Sequence, residues 1–304
     1  MGEPLPICFL NGELLPLREA RISPLDRGFL YSDGAYEVTP VYGGRPFRFA
    51  QHHDRLTRSL REIRMDDPLA REAWRDLYRE LISRNGHGGD LYIYVQVTRG
   101  AEHGRNHAPL PDIARTVFAF AAPWPEGRAG WRENGLPAVT AQDTRWARCD
   151  IKSVSLLANV LLRQLAVDAN ASETILIRER QLTDSSASSV HVVVDGELRT
   201  PPNSWKLLPG TTRSVIEEIA DQAGVKWRST PVSEADLRSA DEILLGAATR
   251  EVQPVSLLDG KPVGSGKPGP VWRKLYDAYQ AYKRELAGTA WRRTSRVSHR
   301  TKSC

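Results

Sequence analysis

Between residues 123 and 130 the sequence places Pro123, Pro125, Gly127 and Gly130 within eight positions, a density of breakers that neither a helix nor a sheet ladder runs through. The chain is therefore expected to part there, near residue 125. The reading is a first unit over 1–122, a linker over 123–130, a larger second unit over 131–288 and a tail over 289–304. A chain of 304 residues is long enough for two domains, each with its own core.

Both units mix strand and helix signals. In the first, residues 7–10 and 14–17 flank Asn11-Gly12, a two-residue hairpin signal. Residues 36–42 and 46–49 flank Gly43-Gly44 and read as a second hairpin. A helix follows over 52–64, with Leu56, Leu60 and Ile63 on one face. Another runs over 69–84, with Trp74, Leu77, Tyr78 and Leu81 at helical spacing and Gly86 as its stop. Strands over 91–98 and 116–121 complete this half. The second unit reads as strands over 136–142, 174–178, 190–194, 242–246 and 252–258. Its helices are expected over 155–169, over 212–223 before Gly224, and along Val271, Leu275, Tyr279, Tyr282 and Leu286. The expected class is α+β, two domains with mixed, antiparallel-rich sheets and flanking helices.

The net charge of +5 is local. Arg292, Arg293, Arg296, Arg300 and Lys302 account for all of it and have no acid among them, which leaves 37 basic against 37 acidic residues in the body. A balanced body argues against an extended nucleic-acid face, and the basic tail is expected to be disordered. Cys8, Cys149 and Cys304 form no CxxC pair, no metal centre is expected, and a reducing cytoplasm fits best. No secretory pattern opens the chain and no run approaches the roughly 18 apolar residues of a membrane span, so no membrane association is expected.

Three motifs are set aside. Gly264-Ser265-Gly266-Lys267-Pro268-Gly269 matches GxGxxG but follows a turn and carries a proline where a phosphate-binding helix should begin. His103 and His107 are four apart, as zinc ligands on a helix would be, yet Gly104 and Pro109 make this a loop. Ser186 and Ser188 lack both a GxSxG elbow and a histidine partner.

Lys152, in Arg148-Cys149-Asp150-Ile151-Lys152-Ser153, is followed thirty-two residues later by Asp184, in Leu182-Thr183-Asp184-Ser185-Ser186-Ala187-Ser188-Ser189. A lysine amine is nucleophilic at neutral pH only where burial or nearby cations depress its pKa, and Arg145, Arg148 and Asp150 make this neighbourhood strongly charged. A carboxylate set against a pyridine nitrogen keeps it protonated, so that a pyridoxal ring can act as an electron sink. Taken singly, a lysine is ordinarily a solvated surface group, and an aspartate in a serine-rich run is a turn or a helix cap.

The lysine block resembles that of the class IV pyridoxal-phosphate aminotransferases (fold type IV), most closely the D-amino acid aminotransferases. Asp26-Arg27-Gly28, Ser32-Asp33-Gly34-Ala35-Tyr36-Glu37-Val38, His53-Asp54-Arg55-Leu56, Val97-Thr98-Arg99-Gly100 and Pro209-Gly210-Thr211-Thr212-Arg213 occur in the family's order, so the resemblance spans almost the whole chain. It implies pyridoxal 5'-phosphate as cofactor. Lys152 would form the Schiff base and then act as general base and acid. Arg55 would clamp the phosphate, Thr211 and Thr212 would add donors at a helix start, and Leu208 would lie on the ring face. On the substrate side the resemblance implies Val38 and a trap for the α-carboxylate of a D-amino acid or 2-oxo acid, made by the Tyr36 hydroxyl with Arg105 and His107, the last two from a loop that reaches across a homodimer interface.

The pattern also departs from the family. Asp184 stands where the family has glutamate, and Ser185 and Ser189 replace a glycine and an asparagine. The phosphate-binding threonine aligns with Ala248, so that Thr249 would have to serve and cofactor retention is expected to be weak. The expected reaction is D-alanine plus 2-oxoglutarate to pyruvate plus D-glutamate. Its rivals are a branched-chain L-aminotransferase, an (R)-amine transaminase, aminodeoxychorismate lyase and a non-catalytic homologue.

Overall fold

A computed structural model describes residues 2–124 and 130–288, the last two by backbone alone; most of the expected linker and the whole basic tail, with Cys304, lie outside the described residues. The first part of the chain runs β1 (Ile7–Leu10), β2 (Glu13–Pro16), α1 (Arg27–Tyr31), β3 (Gly34–Tyr42), β4 (Arg45–Pro46), α2 (Phe49–Glu62), α3 (Arg71–Asn85), β5 (Leu91–Thr98) and β6 (Thr116–Pro123). Its strands form one sheet in the order β2-β1-β6-β5-β3-β4, every neighbouring pair antiparallel. The helical faces legible in the sequence cover it: Leu56 and Leu60 of α2 and Trp74, Leu77, Tyr78 and Leu81 of α3 are buried against Ile93, Val95 and Val97.

The second part runs α4 (Trp131–Asn134), β7 (Leu136–Gln142), α5 (Leu157–Asp168), β8 (Glu173–Arg178), β9 (Gln181–Ser185), β10 (Ser189–Val194), β11 (Glu197–Thr200), α6 (Thr211–Gln222), β12 (Trp227–Ser229), α7 (Glu234–Arg238), β13 (Glu242–Ala247), β14 (Glu251–Leu258), β15 (Lys261–Pro262) and α8 (Pro270–Gly288). Its sheet has the order β12-β11-β10-β13-β14-β7-β8-β9, with β15 on β14. Three neighbouring pairs, β11 with β12, β14 with β7 and β7 with β8, are parallel and the rest antiparallel. The seam between the two parts mixes ion pairs, among them Arg48 with Glu218 and Arg58 with Asp150, and apolar contacts. Tyr42 and Phe47 enter the second core, where the Phe47 ring lies 5.8 Å from Tyr279 of α8.

Two local expectations change. The second hairpin has only a two-residue return, because Arg48 takes a left-handed conformation (φ 51°) and Phe49 already opens α2. Phe47 then faces the second core and Phe49 the first, an alternation that resembles a strand in the sequence. Asp184 stands in β9, not in a turn or a helix cap. The GxGxxG segment does precede a helix, α8, but the Glu242 carboxylate caps it by accepting from the N–H groups of Val271 (2.9 Å) and Trp272 (2.8 Å). That helix start already holds its anion.

Candidate active site

Lys152 belongs to the second part of the chain but hangs on the first sheet. Its carbonyl accepts from Tyr36 N (3.0 Å) on β3, Val154 N donates to Gly34 O (3.1 Å), and Lys152 N donates to Ser59 Oγ (3.1 Å) of α2. The backbone on both sides of the lysine is thus fixed, and its half-buried side chain places Nζ 4.1 Å from the centroid of the Tyr36 ring. Tyr36 in turn stacks on Tyr94, centroid to centroid 5.7 Å.

Asp184 is 6% exposed, and its Oδ2 accepts from Arg145 Nη1 at 3.1 Å. The same guanidinium is shared with Asp143, Nε to Oδ1 at 3.0 Å and Nη2 to Oδ2 at 3.1 Å. A register shift in the pairing of β8 with β9 accompanies this arrangement, and Thr183 turns its hydroxyl to Asp143 Oδ2 at 2.8 Å. Burial pushes the Asp184 carboxyl up, and Arg145, divided between two carboxylates, only partly offsets it. A buried carboxylate short of counter-charge suits a cationic ring nitrogen as neighbour.

The other end of the site centres on Arg55 of α2. Its Nε and Nη2 donate to Glu37 (2.9 and 2.6 Å), and Nη1 donates to Pro209 O (3.2 Å). Glu37, on β3 and 1% exposed, also meets Nδ1 of the buried His52 at 2.9 Å. Burial opposes ionisation of Glu37, but Arg55 and His52 outweigh it and hold the carboxyl well below the usual range. Burial lowers the pKa of His52, against the pull of Glu37 and helped by the charges of Arg55 and Lys152. Pro209 leads into α6, whose first residues are Thr211 and Thr212 and whose N-cap, Gly210, supplies no capping side chain. Unsatisfied N–H groups at a helix start beside an arginine fit a phosphate. A cleft of about 270 Å³, lined by Arg55, Arg58, Gly210, Thr211 and Arg213 among others, opens there. A larger cleft of about 400 Å³, between the β3–β4 turn and α3, holds none of the residues expected in the site.

The remaining residues fall into two groups. Leu208 is half-buried, and its N–H supports the Asp184 carboxylate. Ala248 and Thr249 lie in the turn after β13, whose Gly246 packs against Ile216 and Thr212 of α6. That turn is tied to the serine run. Arg250 reaches Ser172 O (3.0 Å) and Glu173 (3.5 Å), and the fully buried Glu173 accepts from the hydroxyls of Ser186 and Ser188. Both hydroxyls are thus engaged by one buried carboxylate. Arg105 and His107, by contrast, are exposed and gather around Tyr31, at 5.1 Å (Arg105 Cζ) and 5.5 Å from its ring centroid. Among the described residues, no hydrogen bond, ion pair or ring contact joins either to Lys152, Tyr36 or Asp184. Val38, two residues beyond Tyr36 on β3, is half-buried and has its N–H bonded to Glu37.

Sequence reasoning missed Glu37, His52 and Glu173 and left Arg145 without a partner. The available signal was a charged residue inside an otherwise apolar strand, as in Tyr36-Glu37-Val38, because such a residue is buried only when paired.

Comparison with known proteins is consistent with this geometry. Residues 34–258 match the family model described as amino-transferase class IV. D-alanine aminotransferase of Staphylococcus haemolyticus is 38% identical over 277 residues, covering 90% of this chain and 96% of that protein. The protein of the same name from Listeria monocytogenes is 36% identical, covering 89% and 93%. Among solved structures, the T.th. branched-chain amino acid aminotransferase with pyridoxamine 5'-phosphate superposes with a TM-score of 0.84 at 27% identity, over 92% of this chain and 94% of that one. The branched-chain enzyme of Escherichia coli reaches 0.86 at 24% identity, over 91% and 94%, a likeness of fold.

Proposed function

Because the chain belongs to the class IV amino-transferases, enzymes that work through pyridoxal phosphate, we propose that it transaminates D-amino acids, passing the amino group of D-alanine to 2-oxoglutarate in a ping-pong exchange with Lys152 as the cofactor-bearing residue. The observation that carries this reading is the placement of Lys152. It is clamped by backbone bonds at the seam of the two sheets, its amine over Tyr36, with a cluster suited to a phosphate and a buried carboxylate elsewhere in the same structure. The D-preference is supported by the Staphylococcus and Listeria relatives.

When bound, pyridoxal phosphate supplies an electron sink for the negative charge that develops at the amino acid's α-carbon. Arg55, the N–H groups of Thr211 and Thr212 and their hydroxyls hold the phosphate, while Glu37 fixes the orientation of the Arg55 fork. Thr249 is the hydroxyl assigned in place of Ala248. Asp184 would accept a hydrogen bond from the protonated ring nitrogen and so keep it cationic, despite its short arm, and Leu208 would pack against the ring. The Lys152 amine would move the proton between the substrate's α-carbon and the cofactor, as base and then as acid. Tyr36, Val38, Arg105 and His107 bind the substrate, the last two through its carboxylate.

This assignment needs a second copy of the chain, since each chain keeps Arg105 and His107 around its own Tyr31. A homodimer is further supported by an apolar stripe on α5, where Leu157, Val160, Leu161 and Leu165 are between 47% and 72% exposed. We place the enzyme in the cytoplasm, in keeping with the free, buried Cys8 and Cys149. Among the described residues no helix is long and apolar enough to cross a membrane.

The test is a half-reaction. The protein is mixed separately with D-alanine, L-alanine, L-leucine and (R)-1-phenylethylamine, and the cofactor absorbance is followed to its pyridoxamine form. D-alanine is expected to drive the conversion, and Lys152→Ala to slow it by about 10²- to 10⁴-fold. Conversion by L-leucine and not by D-alanine replaces this reading with a branched-chain enzyme. No cofactor band at all after pyridoxal phosphate is added, with Lys152→Ala spectrally unchanged, marks a non-catalytic homologue.

A further inference from the structure

Three residues of the sequence motifs, Arg27, Asp33 and Arg99, are given no part at the cofactor, yet they meet. Arg27, from Asp26-Arg27-Gly28, donates through Nε to Asp33 Oδ2 at 2.9 Å, and Asp33, from the Ser32-Asp33-Gly34 motif, is gripped by Arg99 through Nε (2.7 Å) and Nη2 (3.0 Å). Arg99 opens the segment that leads to Arg105 and His107. We infer that Arg27, only 3% exposed, is the positioning residue of the carboxylate-binding loop and so controls affinity for the substrate's carboxylate without touching it. This rests on the reading that Arg105 and His107 bind that carboxylate.

The geometry closes the loop around one guanidinium. At its start, Arg27 N donates to Gly100 O at 2.8 Å, and Asp26 forms a bridge with Ala101. In its middle, Arg27 Nη1 binds the buried carboxylate of Glu102, whose other oxygen accepts from Leu110 N at 3.0 Å. At its end, Nη1 and Nη2 donate to the carbonyls of Asn106 (2.6 Å) and His107 (3.0 Å). Residues 100, 102, 106 and 107 are thus held by one buried residue, while Arg105 and His107 project into solvent. Tyr31 extends this control to the side chains. Its ring lies 4.6 Å from Arg27 Cζ and also meets Arg105 and His107. A lysine at position 27 has one compact ammonium and cannot span Asp33, Glu102 and two carbonyls with a planar fork.

The experiment compares wild type, Arg105→Met, Arg27→Lys and Glu102→Gln as cofactor-loaded proteins. It measures kcat and KM for D-alanine and the inhibition constant of propionate, which offers the carboxylate without the amine. Arg105→Met checks the reading beneath the proposal and should raise both KM and the propionate constant by about tenfold or more. If it leaves both unchanged, the carboxylate assignment fails. If Arg105→Met weakens both, Arg27→Lys should do so too by at least about fivefold, with kcat within about twofold of wild type and an unaltered cofactor band. Glu102→Gln, which keeps the shape of the loop's root, should move the same two constants by less and remains the test if Arg27→Lys does not fold. Wild-type propionate constants in both folded variants, or a fall in kcat and thermal stability with affinity retained, would make Arg27 a fold determinant only and overturn the proposal.

Discussion

Two clusters of arginines and carboxylates stand in this molecule and are built on opposite plans. At the cofactor end the proposed ligand Arg55 is itself locked in a buried pair with Glu37, so its fork has a fixed direction before anything binds. At the loop, Arg27, Asp33 and Arg99 are locked, while the proposed ligands Arg105 and His107 are exposed beyond them. The difference teaches how each site achieves preorganisation. A resident cofactor can be met by a rigid, single-chain cradle, whereas a substrate that enters and leaves is met by side chains free at their tips and fixed only at their root.

The contrast breaks most severely at Glu37. Replacing it by Gln leaves the Arg55 charge buried without its counter-ion, and Glu37→Gln is expected to cost about 3–5 kcal/mol of unfolding free energy by urea titration. A cost below about 1 kcal/mol would mean that Arg55 relaxes to solvent and that the cradle is no more fixed than the loop.

That dependence was hidden in the sequence. Arg55 and Glu37 each fall in a motif, but they lie eighteen residues apart on a helix and a strand, and only the docking of α2 on β3 makes them partners. The helical faces of α2 and α3 and the turn at Asn11-Gly12 were legible because periodicity and turn chemistry are local. The strands β9 and β12 were not, since they are five and three residues long and largely polar, whereas β11 follows from the turn at Asp195-Gly196. Asp184 was singled out and Arg145 was noted, yet their ion pair joins residues thirty-nine apart in sequence.

A second test uses acid. His191 of β10 is fully buried, neither ring nitrogen has a hydrogen-bond partner among the described residues, and burial together with the charge of Arg213 lowers its pKa to about 3. Above about pH 6.5 neither the folded nor the unfolded form carries the proton. Below it the unfolded chain takes up a proton that the folded chain refuses, so stability falls by about 1.4 kcal/mol per pH unit, or about 2 kcal/mol by pH 5. His191→Phe should remove that part of the loss when unfolding at pH 7 and pH 5 is compared, leaving the part due to His52, whose pKa burial also lowers, while Glu37 becomes limiting only in the more acidic carboxylate range. An unchanged pH slope would show that the second core admits a charged imidazole.

The mildest change sharpens the cofactor side alone. Ala248→Thr restores a hydroxyl to the turn beside α6 and should tighten pyridoxal phosphate by about tenfold, as for one hydrogen bond to a charged group, in a titration of the apo-protein. KM for D-alanine should not follow, and equal shifts in both would argue that the two clusters are coupled.

By itself the sequence determined the helices with clear faces, the hairpin at Asn11-Gly12 and the ordered motifs that carry the family. Each is written in neighbouring residues, whose spacing and conformational preferences act locally. Tertiary structure decided which charges meet: Glu37 with Arg55, Asp184 with Arg145, and Arg27 with the loop of Arg105 and His107. Burial makes an unpaired charge costly, so partners are chosen by which strands and helices pack together, and no local pattern encodes that choice.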